Sequence, residues 1–337
     1  MSEDVIKAEG LTKVFNGSLI AVDHINFSVK HGEIFGFLGP NGAGKTTTIN
    51  MLITLLRPTE GKATILGSDI AKQNVEVRNS IGLVPQEYTA DEDLTGYENM
   101  LLCADLYGIP RTVSKKRATD LLNLVELAVF KGKLVQTYSG GMRRRLELAC
   151  GLINRPKVLF LDEPTLGLDV QTRVATWNYV RMLKKEFGMT LFMTTHYLEE
   201  ADALCDRIAI IDHGKIMVIG TPEELKASLG GDMIKLAIQE GTDITGLVKK
   251  IDHVVDVKKE NDTYLIKAEN GEVTAPLIIE ALRKEGHVVT RISLTKPTLN
   301  EVYLQYTGKS MRAVEESREA VMMQRMTFKR ARGRDSE

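Results

Sequence analysis

The sequence predicts an α/β fold, with a parallel sheet covered on both faces by helices. Two observations predict it. Short apolar strands alternate with helical stretches from Glu33 to about residue 212, and those strands are near-continuously apolar, as strands buried on both faces are. The remainder departs from that rhythm at both ends, with β at the start and a separate α+β pattern after residue 229.

Taken in order, VIKAEGLTKVF and IAVDHINFSV flank Asn16-Gly17, a hairpin signal because both residues tolerate positive φ. EIFGFL, SIGLVP, KVLFLD, TLFMTT and RIAIID then read as strands. Helices are expected over residues 45–56, in one long stretch over 92–135, and over 171–186. Asp212-His213-Gly214 reads as the turn of a closing hairpin into KIMVIG. Beyond the Gly230-Gly231 linker the elements run β-α-β-β-α-β, the order of ferredoxin-like domains, with a short first helix. This predicts domains at 1–229 and 230–308, followed by a charged, Met-containing tail at 309–337.

Composition sets the class of protein. The 337 residues are 43% hydrophobic and 26% charged, ordinary for a globular chain. No apolar run reaches the ~18–20 residues of a membrane span, and the start lacks a secretory signal, so a cytoplasmic protein is expected. The net charge of −1 gives no field to recruit nucleic acid, although Arg325, Lys329, Arg330, Arg332 and Arg334 make the tail locally basic. Cys103, Cys150 and Cys205 show no CxxC or Cys/His spacing and read as reduced thiols in helical settings.

The chemistry concentrates at strand ends. GPNGAGKT, between a strand and a helix, matches G-x-x-x-x-G-K-[ST], the phosphate cradle of P-loop nucleotide hydrolases. Gly39, Pro40, Asn41, Gly42, Ala43 and Gly44 form a loop whose N–H groups can surround phosphates, and Lys45, Thr46 and Thr47 open the helix that adds its positive end. Lys45 is expected on the β- and γ-phosphates, and Thr46 on Mg²⁺. KVLFLDEP ends in two carboxylates, Asp162 for Mg²⁺ and Glu163 to polarise the attacking water. Gln86 and His196 end two further strands; glutamine can position water or Mg²⁺, and imidazole can bond the γ-phosphate. Ser139, Gly140 and Gly141 precede an amphipathic helix, a second anion-binding start. Leu146, Ala149, Cys150 and Ile153 fall on its apolar face, and Arg143 to Arg145 are expected to be mostly solvated.

With the cradle, Gln86, SGG, DEP and TTH in this order, residues 4 to about 225 resemble the ATP-binding subunit of an ATP-binding cassette (ABC) transporter. YSGGMRRRLELA and PTLNEVYLQYTG resemble daunorubicin-resistance-type export ATPases. The resemblance implies a cassette with a parallel-sheet core, an N-terminal antiparallel β-subdomain and a helical subdomain. It further implies Walker A at residues 39–46, a Q-loop at Gln86, a signature at Ser139, Gly140 and Gly141, a Walker B pair at Asp162 and Glu163, a D-loop ending at Asp169, and a switch His196. It implies Phe15 against adenine, Mg²⁺ on Thr46, Gln86 and Asp162, and a head-to-tail homodimer in which each signature caps the partner's ATP. Tyr138 and Met142 depart from the usual outer residues of the signature, Leu and Gln.

The function so implied is the ATP hydrolase of an exporter of drugs, lipids or glycans, peripheral on the inner membrane face through a separate permease. Residues 94–101 with Glu87 and Tyr88 are where such a permease contacts the family's helical subdomain. Import, or a soluble ABC ATPase without a membrane partner, are the alternatives. The ferredoxin-like pattern disfavours the first, because sugar-type importers carry a β-rich C-terminal domain. The absence of tandem cassettes or a coiled-coil insertion disfavours the second.

Overall fold

Asn16 and Gly17 take φ of 52° and 71°, and the chain reverses between β1 (Asp4–Phe15) and β2 (Leu19–Lys30), as the turn chemistry predicts. The computed structural model describes residues 4–239, 243–260 and 263–308. The predicted tail at 309–337 lies outside them. After the hairpin come β3 (Ile34–Leu38), α1 (Lys45–Leu52), β4 (Glu60–Ile65), β5 (Ser68–Asp69), α2 (Asn74–Ser80) and β6 (Ile81–Val84). Then come α3 (Gly96–Leu106), α4 (Arg111–Leu124), α5 (Gly140–Gly151), β7 (Val158–Asp162), α6 (Val170–Phe187), β8 (Thr190–Thr195), α7 (Leu198–Leu204), β9 (Arg207–Asp212) and β10 (Lys215–Gly220).

Two sheets share one core in this part. The first orders β2-β1-β4-β5, with antiparallel pairing throughout. The second orders β10-β9-β3-β8-β7-β6, and from β9 to β6 every pair is parallel. Phe27 of the first sheet stacks on Phe35 at 5.7 Å and meets Phe37 edge-on at 5.1 Å, which fastens the hairpin layer to the parallel sheet. Register decides where the strands end. Leu38 pairs with Thr195, and Asp162 with Thr194, so β3, β8 and β7 end in one row and their loops leave the same carboxyl edge.

The predicted helix over 92–135 is broken. Thr95 and Glu98 form a capping box that starts α3 at Gly96. Gly108 at φ 65° and Pro110 then divide it from α4, since the left-handed glycine ends one helix and proline begins the next. Two short 3₁₀ turns, Ala128–Phe130 and Val135–Thr137, replace its last part. Met100, Ala104, Ala118, Leu122, Leu146, Ala149 and Ile153 make a separate core here, joining α3, α4 and α5.

The second unit begins at Gly220. That is ahead of the Gly230-Gly231 linker read from the sequence, because α8 (Pro222–Ala227) packs on the final helix. It continues with β11 (Asp232–Ile238), α9 (Thr245–Val248), β12 (Val254–Glu260), β13 (Thr263–Ala268), α10 (Gly271–Lys284), β14 (Val289–Thr295) and α11 (Leu299–Thr307). Its antiparallel sheet orders β12-β13-β11-β14, the ferredoxin-like arrangement, over a core of Ile234, Leu236, Tyr264, Ile266, Ile278 and Leu282. Each unit thus has its own sheet and core. A chain ending at Gly220 is expected to express in soluble form and bind ATP with unchanged affinity by titration calorimetry. Recovery only as aggregate would show that the first unit needs the second to fold.

Candidate nucleotide site

The loop between β3 and α1 curls because its glycines allow it. A Cβ on Gly39 would lie 2.2 Å from the Ile211 carbonyl oxygen, and Gly44 combines φ 108° with a Cβ position 2.6 Å from the Ala21 carbonyl oxygen. The loop closes on itself through Ala43 N–H to Pro40 O at 3.1 Å, and is anchored to β8 by Gly39 N–H to Thr195 O at 3.2 Å. A cavity of about 250 Å³ results, lined by Asn41, Gly42, Gly44, Lys45, Thr46, Thr47, Gln86 and Glu163. Pro40 and Ala43 shape the loop without lining the cavity.

Lys45 and Glu163 form a buried ion pair at 2.9 Å, each 4% exposed. Lys45 also donates to the Gly39 carbonyl at 2.6 Å and the Pro40 carbonyl at 3.3 Å. Glu163's second oxygen accepts from His196 Nδ1. A carboxylate only accepts, so Nδ1 carries the hydrogen there and Nε2 is the ring nitrogen left for a ligand. Burial pushes the Glu163 carboxyl up, but the His196 hydrogen bond and the Lys45 charge outweigh it and hold the group below the usual glutamate value. Glu163 is therefore an ionised carboxylate at neutral pH.

The backbone of Glu163 takes φ 49°, a left-handed conformation that costs a non-glycine residue about 1–2 kcal/mol. Its N–H secures that turn by donating to Thr194 O at 3.2 Å and Thr194 Oγ1 at 3.0 Å. Asp162 accepts from Thr194 Oγ1 at 2.5 Å and Thr46 Oγ1 at 3.2 Å. Burial raises its carboxyl above the usual aspartate value, an effect the Thr194 and Thr46 bonds only partly offset. Thr194 thus holds both members of the carboxylate pair. Its signal in the sequence was a hydroxyl inside an otherwise apolar strand, directly before Thr195 and His196.

The other predicted residues lie outside the cavity lining. Phe15 ends β1, half-buried, with Lys13 Nζ 5.2 Å from its ring centroid. Ser139 caps α5 by accepting from Met142 N–H at 3.3 Å, and Ser139 and Gly140 are exposed. A Cβ on Gly141 would lie 2.7 Å from Thr172 Cγ2 of α6. Asp169 caps α6, accepting from Thr172 N–H at 3.0 Å and its hydroxyl at 2.7 Å. The two unusual signature neighbours face inward. Tyr138 is buried and donates to the Phe130 carbonyl at 2.8 Å, and Met142 packs on the helical core.

One expectation is corrected. Arg143 and Arg145 are half-buried, but Arg144 is fully buried and donates to the Pro85 and Gln86 carbonyls at 2.7 and 2.9 Å. Two backbone acceptors, with the Tyr88 ring 5.3 Å away, replace the water that a solvated arginine would keep.

Comparison with known proteins shows the family. Residues 22–166 match the model of the ABC transporter family, and residues 220–307 match the model of the ATP-binding protein DrrA1-3-like C-terminal domain. The doxorubicin resistance ATP-binding protein DrrA of Mycobacterium tuberculosis is 38% identical over 312 residues, covering 90% of this chain and 93% of that protein. The chain belongs to the ATP-binding subunits of ABC transporters, of the DrrA type. The Nod factor export ATP-binding protein I of Sinorhizobium fredii is 35% identical over 92% of this chain and 88% of its own length. Among solved structures, a dimeric ATP-binding cassette in a post-hydrolysis state with ADP and Pi superimposes with a TM-score of 0.58 at 27% identity, covering 64% of this chain and 98% of its own. As an ABC subunit of the DrrA type, the chain carries its second family match from Gly220, where its second unit begins.

Proposed function

We propose that this ABC subunit hydrolyses ATP as the motor of an exporter whose membrane-spanning part is a separate polypeptide. The observation that carries the reading is the series Lys45, Glu163 and His196, in which the buried Lys45 and Glu163 line the phosphate-loop cavity and His196 bonds the Glu163 carboxylate. In it an ionised carboxylate, a fixed cation and an imidazole converge where a terminal phosphate enters. An incoming γ-phosphate competes with Glu163 for Lys45, so substrate binding frees the carboxylate to take the proton of the attacking water. His196 holds that carboxylate in place.

Thr46 and Asp162, a hydroxyl and a buried carboxylate in hydrogen-bond contact, are a hard-oxygen donor pair fit for Mg²⁺, and Thr46 shares the cavity lining with Gln86. Bound there, Mg²⁺ neutralises phosphate charge. Phe15 offers a ring face to adenine. Ser139, Gly140 and Gly141 are assigned to the γ-phosphate of a second copy's ATP, and Asp169 to communication between the two sites. The dimeric state of the post-hydrolysis cassette supports this assembly.

No helix among the described residues is long and apolar enough to cross a membrane, consistent with a separate permease. A cytoplasmic, peripheral location on the inner membrane face is part of the same proposal. The resistance and export functions named for the relatives support export over import. Lys45→Ala removes charge-assisted bonds that each contribute about 1.5–3 kcal/mol. It is expected to weaken ATP binding by about 10- to 100-fold in calorimetric titration. Unchanged affinity would remove Lys45 from the phosphate site. Co-expression with a polytopic membrane protein, should the neighbouring reading frame encode one, is expected to yield a complex with stimulated turnover, and failure to associate would favour a soluble ATPase.

A further inference from the structure

The loop that carries Gln86 is held by α5. Arg144 and Glu147 of that helix are almost wholly buried, at 1% and 2% exposure. Arg144 grips the front of the loop through the Pro85 and Gln86 carbonyls. Glu147 grips its back, accepting from Thr89 N–H at 2.6 Å, Ala90 N–H at 2.8 Å and Thr89 Oγ1 at 2.9 Å. Between them Tyr88 donates its hydroxyl to the Gly140 carbonyl at 3.3 Å. A cation therefore holds carbonyls and an anion holds amides, all on one loop. Buried charges are tolerated only with partners of this kind, so the loop cannot withdraw from α5 without stranding one of them. The same helix starts at Gly140, capped by Ser139.

We propose that Arg144 and Glu147 are positioning residues that hold Gln86 in its own chain's nucleotide site and tie it to the signature end of α5. The inference rests on the reading of Gln86 as a residue of that site. It makes the loop that meets one nucleotide and the helix start assigned to the other a single body, so that a shift of α5 reaches Gln86 through charge-assisted bonds. Neither side chain touches substrate. Their effect is on turnover through the place of Gln86, and the phosphate cradle that binds ATP is untouched.

The test is a double-mutant cycle on the full chain, read as steady-state ATP hydrolysis with ATP affinity measured separately. Arg144→Met is expected to lower kcat about tenfold, within the ~10²-fold that an ångström-scale misplacement can cost. KM should change less than about twofold, because the ground-state cradle is intact. Arg144→Lys, able to keep one carbonyl bond, should restore most of the loss. Gln86→Ala should lower kcat by a similar factor, and Gln86→Ala/Arg144→Met should fall no further, since one residue acts through the other. Should Arg144→Met fail to fold, Glu147→Gln enters the same cycle. Multiplying effects in the double variant, or wild-type kcat in Arg144→Met beside a slow Gln86→Ala, would overturn the positioning role alone. A wild-type rate in Gln86→Ala would overturn the underlying reading of Gln86 and the proposal with it.

Discussion

Glu163→Gln is expected to lower ATP turnover by about 10²- to 10⁴-fold, the usual range for loss of a general base. The substitution keeps the length of the side chain and an oxygen that can accept from His196, but it removes the negative charge that now faces Lys45 at 2.9 Å. That ion pair has two further consequences. Without nucleotide the variant leaves a buried ammonium with only the Gly39 and Pro40 carbonyls as partners, so its thermal midpoint should drop below that of the wild type. With ATP the phosphate no longer competes with a carboxylate for Lys45, so binding should be retained or tighter, and the midpoint should rise by more than in the wild type. Turnover near the wild-type rate would mean that Glu163 is not the base. A variant that loses ATP binding would mean that Glu163 supports the phosphate loop.

The parts of this site that were legible in the sequence are those written as contiguous strings at strand ends. A glycine-rich loop between a strand and a helix, or two carboxylates closing an apolar strand, carries its geometry locally, because the parallel sheet delivers such ends to one edge. The links between strings were not legible. Thr194 bonds Asp162 because β8 and β7 pair in a register that sets these residues side by side, which no local pattern states. Arg143, Arg144 and Arg145 look alike in the chain, and only the phase of α5 against the 85–90 loop decides that the middle one is buried. The expected helix over 92–135 failed for a different reason. Its apolar spacing continues across Gly108 and Pro110, so the periodicity hid a break that the backbone chemistry of those two residues imposes. Phe15, given to adenine by resemblance alone, closes β1 and lies outside the lining of the phosphate cavity, and no local pattern states what its ring meets.

Ser139→Arg, placed in the Glu163→Gln background, is expected to abolish the ATP-dependent dimer that Glu163→Gln alone should form. In that background ATP persists in the site, so adding ATP should shift the protein from monomer to dimer by light scattering, while ADP should not, because the γ-phosphate is absent. Ser139 is exposed and stands outside its own chain's nucleotide cavity, at the start of a helix whose first N–H groups have no intrahelical acceptor. The arginine side chain occupies the space an approaching phosphate would need, and it sets a positive charge beside the positive end of α5. Loss of the cap that Ser139 gives Met142 N–H costs about 0.5–2 kcal/mol, so the monomer should melt slightly earlier but remain folded. Its own affinity for ATP should stay near that of Glu163→Gln, since the cradle lies elsewhere in the chain. An unchanged ATP-dependent dimer in the double variant, or loss of nucleotide binding by its folded monomer, would mean that Ser139, Gly140 and Gly141 serve their own chain and that the shared site is wrongly assigned.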